Sequence, residues 1–271
     1  MKKIGFIDYY ISEWHANNYP AWIKERGKGE FEISYVWAEE YISPVDGRNT
    51  DEWCEAFGAT KCESIEELCE KSDYIVILAP SNPEKHLGYA EIALKYGKNT
   101  YIDKTFAPDF ATAKRIFDIA EQYGTRFFSS SALRYAAELG SLVGSESVTV
   151  TGGGSSIEEY IIHQAEMLVK LTDSEPEKVC VEAQGEQYLC RVKMKNGTQS
   201  SMLFAQGAPF GVYTGGYTSV NSDFFGALIA DILRFFADGN PSFDTAQTLN
   251  VMKIREGVIK GKASLGEWII V

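Results

Sequence analysis

Asp73-Tyr-Ile-Val-Ile-Leu-Ala-Pro-Ser-Asn-Pro83 is the stretch on which the fold turns. Its centre, residues 74–78, is apolar without alternation, the pattern of a parallel strand buried on both faces. Asn82-Pro83 then sets a proline at the first position of a helix predicted to run to Gly97. Working outward, residues 3–7, 31–38, 99–102 and 126–129 supply further short apolar or β-branched runs. Ser64-Ile-Glu-Glu67 reads as a capping box, and Phe110, Ala113, Phe117 and Ala120 mark one face of a helix that Gly124 closes. Strands alternating with helices in this way predict a doubly wound parallel α/β domain over residues 1–125.

Residues 126–271 have another character. After a short helical piece (132–139) come a strand at 147–151, a glycine-rich turn at 152–156 and a helix to about Thr172. Strand-like runs follow at 178–183, 187–194 and 199–206, the last two joined across Asn196-Gly197, a hairpin signal. Helices at 223–236 and 246–260, the latter opened by Asp244-x-x-Gln247, precede a final strand at 267–271. This order predicts an α+β domain with an open, mainly antiparallel sheet.

Composition narrows the function classes. Acidic side chains number 38 against 26 basic, a net charge of -12 with no basic block, which argues against a nucleic-acid backbone or an anionic membrane surface as partner. No targeting segment and no apolar run long enough to span a bilayer is visible, so a cytoplasmic protein is expected. The five cysteines (54, 62, 69, 180, 190) form no C-x-x-C and read as reduced, buried thiols; the first three fit no standard zinc spacing.

Three clusters carry chemistry. After the first strand a dinucleotide fold places G-x-G-x-x-G, so that backbone N–H groups and a helix N-terminus meet the pyrophosphate. Here the residues are Asp8-Tyr-Tyr-Ile-Ser-Glu13, with no glycine and two carboxylates. Glu39 and Glu40 end the second strand, where an acidic residue accepts from a ribose 2′-hydroxyl and favours NAD over NADP; the other reading is a solvated loop. Lys104, preceded by Asp103, closes the strand at 99–102 and can hydrogen-bond or protonate a substrate oxygen, although such a lysine also serves as an ordinary loop cation. Glu159, His163 and Glu166 stand at i, i+4 and i+7 of one helix and share a face. Carboxylates beside an imidazole suit a general base, and equally a helix-surface ion pair; with three histidines in the chain, no metal is expected.

Taken in order, these clusters resemble the Gfo/Idh/MocA family of sugar and polyol dehydrogenases. Residues 73–86 look like that family's fourth strand and its P-N-x-x-H turn, and residues 90–105 are similar to the helix and strand leading into its E-K-P motif. Asp103, Lys104 and Thr105 stand for Glu, Lys and Pro. Leu133-Arg-Tyr135 is similar to the arginine–aromatic pair after the sixth strand, and Glu159 and His163 match D-x-x-x-H, with Glu166 the acidic residue three further on. Residues 232–241, through to Trp268, resemble the closing helices and last strand.

The resemblance implies a Rossmann-like dinucleotide-binding domain at 1–125 and an α+β substrate and oligomerisation domain at 126–271. It implies NAD as cofactor, a sugar-like small-molecule substrate, and a homodimer or higher homo-oligomer through the open sheet. His163 becomes the acid/base with Glu159 as orienting partner, and Lys104 the donor to the reacting hydroxyl. Pro80, Ser81 and Asn82 line the nicotinamide side, Asp8, Glu39, His86 and Asp103 complete the cofactor set, and Arg134 and Glu166 face the substrate. The expected reaction is hydride transfer between nicotinamide and a sugar, polyol or related hydroxyl compound. The alternative is a non-catalytic descendant that binds a sugar-like ligand or a protein partner as a regulator. Departures from the pattern are the missing glycines and glutamate in place of the aspartate before His163, which keeps the charge and adds one methylene.

Overall fold

A computed structural model describes all residues, 1–271, and divides into two units, Met1–Ser129 with Leu228–Phe243, and Ser130–Ala227 with Asp244–Val271. The first unit runs β1 (Lys2–Asp8), α1 (Trp14–Arg26), β2 (Phe31–Ala38), α2 (Thr50–Phe57), β3 (Thr60–Lys61), α3 (Ile65–Lys71), β4 (Tyr74–Ile77), α4 (His86–Ala93), β5 (Thr100–Ile102), α5 (Phe110–Tyr123) and β6 (Phe127–Phe128). Its six strands are all parallel in the order β3-β2-β1-β4-β5-β6. The chain winds outward from β1 and returns at β4, so the order reverses between these two strands, the place where open α/β sheets receive ligands. The unalternated apolar run of β4 is explained by burial: Ile75, Ile77 and Leu78 have no exposure, nor do Ile4, Phe6 and Ile7 of the neighbouring β1. Gly5 lets α3 close on the sheet, since a Cβ there would lie 2.4 Å from both Leu68 Cδ2 and Ser72 Oγ.

The local signals mostly act as expected. Ser64 Oγ accepts from Glu67 N–H at 3.1 Å, but the return bond from the Glu67 carboxylate goes to Glu63 N–H, so the box closes one residue early. Asp109 caps α5 and Gly124 ends it in the left-handed conformation. The helix after Pro83 is broken into a 3-10 turn (Pro83–Lys85), α4 and a second 3-10 turn (Leu94–Tyr96) before Gly97.

The second unit adds β7 (Ser147–Gly152), α6 (Ile157–Thr172), β8 (Pro176–Gln184), β9 (Gln187–Met194), β10 (Gln199–Phe204), β11 (Gly211–Tyr213), β12 (Tyr217–Ser219), α7 (Phe224–Asp238), α8 (Ala246–Ala263) and β13 (Trp268–Ile270). The sheet order is β12-β11-β7-β10-β9-β8-β13, antiparallel throughout except for the β7–β10 pair. Gly197, at φ 84, turns the β9–β10 hairpin. Gly257 and Gly261 bring α8 down onto β8, where a Cβ would press into Val179 and Val181. The capping box expected at Asp244 does not form. Gln247 donates instead to Asp173, and Asp244 accepts from Ala246 N–H.

The expected single boundary at 125 therefore needs correction. The break falls after Ser129, and α7 from Leu228 onward groups with the first unit. Phe236 stacks on Tyr74 at 4.7 Å, Phe235 meets Phe128 edge-on, and Asn99 Nδ2 donates to the carbonyls of both phenylalanines. No helix is long and apolar enough to cross a membrane, and all five cysteines are free and buried.

Candidate active site

At the reversal point the carboxyl ends of β1, β4 and β5 carry Asp8, Ala79 and Asp103. Asp8 Oδ1 accepts from Tyr9 N–H at 2.7 Å and from Ala79 N–H at 3.0 Å, tying the two central strands together beyond their ladder. Ala79 takes a left-handed conformation, φ 59, to aim that N–H, a geometry costly for a residue with a Cβ. Asp8 Oδ2 is buried and makes no hydrogen bond. Burial, then the charge of Glu13, pushes the Asp8 carboxyl well above its ordinary value.

Glu13 begins α1. Its carboxylate accepts from His15 N–H at 2.8 Å and from Ala16 N–H, so the amides that open the helix are spent on the chain's own anion. Burial raises the Glu13 carboxyl, against the pull of His15 and those two N–H bonds. His15 Nδ1 pairs with Asp103 Oδ2, and its ring stacks on Tyr19 at 5.3 Å. Asp103 Oδ1 accepts from Lys104 N–H at 2.8 Å and from the Tyr101 hydroxyl at 3.2 Å. Burial works to raise Asp103, but His15 and Lys104 outweigh it and hold the carboxyl below its usual range. Asp8, Glu13, His15 and Asp103 are each less than 8% exposed. No cluster of side chains in the chain has the makings of a metal site.

Around this centre, Lys104 is half-buried directly after Asp103. Pro80 is buried, Ser81 exposed, and Asn82 donates its side-chain N–H to Glu84 at 3.0 Å. Glu39, just past β2, pairs with Lys85 and accepts from the Tyr89 hydroxyl at 2.7 Å. Burial would lift its pKa, but Lys85 and Tyr89 together hold it below the ordinary value. His86 has no exposure: Nδ1 lies 3.0 Å from the Phe106 carbonyl and Nε2 faces that of Leu78, so both nitrogens are spent on holding the β4–α4 turn.

In the second unit Ser131 Oγ lies 2.7 Å from His163 Nδ1, between the rings of Tyr160 and Phe210 that flank the imidazole at 5.6 and 5.8 Å. Glu166, on the same helix, pairs with Arg134 Nε, and Lys170 donates to the Arg134 carbonyl at 2.6 Å. Arg134 and Glu166 are both buried, so the pair the sequence assigns to substrate also braces the turn at Ala132–Tyr135 against α6. Glu159 accepts from Ser155 Oγ at 3.2 Å. His163 is half-buried, with Ser131 holding one ring nitrogen. A serine two residues before Leu133-Arg-Tyr135 carries no sequence signal of this contact, nor does His15, which meets Asp103 across 88 positions.

A dinucleotide's pyrophosphate rests on the N-terminus of the first helix in this type of sheet. Here that N-terminus is already capped by Glu13, and Asp8 Oδ2 is buried without a hydrogen bond at the end of β1. The residues as they stand do not fit the pyrophosphate.

Residues 38–131 match the family model described as "Oxidoreductase family, NAD-binding Rossmann fold", GFO_IDH_MocA. Over these residues the chain is similar to the Gfo/Idh/MocA family. The match begins at the last residue of β2, after β1 and α1. The uncharacterized oxidoreductase YhhX of Escherichia coli is 32% identical over 60 residues, which span 22% of this chain and 17% of that protein. Among solved structures, myo-inositol dehydrogenase from Lactobacillus casei, in complex with NAD(H) and myo-inositol, superimposes with a TM-score of 0.81 at 13% identity, covering 100% of this chain and 96% of that one. UDP-N-acetylglucosamine 3-dehydrogenase from Acidithiobacillus ferrooxidans does so at 0.76 and 15%, covering 97% of each. The architecture expected from the sequence, a Rossmann-like parallel sheet followed by a mixed, mainly antiparallel one, is thus the fold of these proteins.

Proposed function

We propose that this chain is an oxidoreductase that interconverts a hydroxyl and a carbonyl on a sugar, polyol or related compound, with NAD as the redox partner its family implies. The observation that carries this reading is the Asp103–Lys104 pair, set at the carboxyl end of β5 in a Gfo/Idh/MocA Rossmann segment. Asp103 fixes the Lys104 backbone through the 2.8 Å bond, which leaves the ammonium to donate to a substrate oxygen. His163, oriented by Ser131, is the acid/base on the second unit, and Glu159 assists it. Glu39 and Glu40 would repel a 2′-phosphate, which favours NAD over NADP. A homodimer through the open face of the second sheet and a cytoplasmic location complete the proposal.

The filled crevice favours a second reading, in which the chain binds a sugar-like ligand without turning it over. A polyol and sugar panel assayed with NAD or NADH at millimolar concentration separates the two. The oxidoreductase reading expects turnover that falls in Lys104→Ala while dinucleotide binding persists. Turnover unchanged in that variant removes Lys104 from the mechanism.

A further inference from the structure

We propose that Glu13, backed by Asp8, is a built-in substitute for a dinucleotide's pyrophosphate, and that these two side chains set how weakly this protein holds any dinucleotide. The inference rests on the Rossmann fold and not on the substrate assigned above.

Three observations converge on it. First, the Glu13 carboxylate sits on the opening amides of α1, a 13-residue helix whose N-terminus is the anion position of this sheet type. It accepts from His15 N–H and Ala16 N–H, the kind of donors a phosphate oxygen takes. Second, Asp8 replaces the glycine that would let a phosphate approach β1, and its Oδ2 is buried with no hydrogen bond. Its other oxygen ties β1 to the turn after β4 through Ala79 N–H. Third, the family match covers residues 38–131, the stretch from the end of β2 onward, and does not include the segment carrying these carboxylates. An entering pyrophosphate has to displace the Glu13 carboxylate from the helix amides and lie near the ionised Asp103, in surroundings where like charges repel far more strongly than in water.

His15 belongs to the same device. Its pairing with Asp103 sets the imidazole against the acidic cluster and ties the first turn of α1 to the end of β5. That turn is further anchored by Ser12, which donates to Asp46 at 2.7 Å and accepts from Ser43 through its carbonyl. The plug is therefore held from several sides and is not one mobile side chain.

The test is NADH binding to the full chain, followed by fluorescence or calorimetry at fixed pH and salt. Wild type is compared with Glu13→Gln, Glu13→Ser, the double variant Asp8→Asn/Glu13→Gln, and Glu121→Gln as an exposed carboxylate control on α5 of the same unit. Glu13→Gln keeps an oxygen to accept from His15 and Ala16, so the helix start survives; circular dichroism confirms folding. The expected result is affinity increased by about tenfold or more in the double variant and Glu13→Ser, with Glu121→Gln close to wild type. Unchanged affinity in the folded variants, or no NADH binding in any of them, overturns the proposal. So does micromolar binding by wild type that the substitutions weaken. A chain that turns over no sugar, yet gains NADH affinity in these variants, loses the oxidoreductase reading and keeps this one.

Discussion

Asp8 shows how a single side chain carries the tension in this molecule. It is buried, feels the charges of Glu13 at the cap of α1 and Asp103 after β5, and its carboxyl titrates well above the ordinary range. A raised carboxyl pKa means that the folded chain holds a proton the unfolded chain has released. The stability contributed by that proton is full below the ordinary carboxylate range and is lost as pH rises toward the shifted value. Asp8→Asn keeps an oxygen for Tyr9 and Ala79 N–H and removes the titration. The variant should match wild type in acid and exceed it above neutral pH by on the order of 1 kcal/mol, read from denaturant unfolding at several pH values. A variant less stable than wild type at every pH would show that the carboxylate is held by a partner. At this scale the sequence was informative about identity and silent about contact. Asp8 and Glu13 are visible as misplaced charges in a loop that should be glycine-rich, whereas the His15–Asp103 pair joins residues 88 positions apart.

Elements were legible wherever their cause is local. The unalternated run of β4, the Asp109 cap and Gly124 stop of α5, and the Gly197 hairpin all depend on residues a few positions apart. Those read poorly have distant causes or very short ladders. Leu228–Phe243 joins the first unit because Phe235 and Phe236 find Phe128 and Tyr74, and the three-residue strands β11 and β12 are too short to show periodicity. The capping pattern at Asp244 was present in sequence but lost to Asp173, which takes the Gln247 side chain. Close approach of β1 and α3 at Gly5 gives a test at this level. Gly5→Ala puts a methyl 2.4 Å from Leu68 and Ser72 and should cost about 1–3 kcal/mol in denaturant unfolding. No loss would mean that α3 can shift away freely.

For the molecule as a whole, the second sheet leaves Leu203, Tyr213, Tyr217, Trp268 and Ile270 exposed. Trp268 and Ile270 stand at alternate positions of β13, and Tyr213 and Tyr217 are register partners across β11 and β12, as side chains on one face of a sheet do. An apolar face of this kind suits an interface between copies, and light scattering should give twice the 30.2 kDa chain mass. A monomer at working concentration would refute the dimer. The fold class was legible throughout because βα alternation and hairpin spacing differ in period, and two of the stretches behind the Gfo/Idh/MocA likeness, 73–86 and 90–105, lie within the matched residues 38–131. The net charge of -12 gains a location as well, since part of it lies buried at the sheet's reversal point. The central claim, that this is an oxidoreductase of sugar-like hydroxyl compounds in which Lys104 serves the reacting oxygen, is tested most directly by one rate comparison. Nicotinamide oxidation or reduction is followed across a panel of polyols, sugars and their keto forms, with wild type beside Lys104→Ala at millimolar dinucleotide. The account predicts turnover of at least one compound by wild type, reduced by about a hundredfold or more in the variant. Equal rates in the two proteins, or no turnover of any compound by a folded wild-type chain, would contradict it.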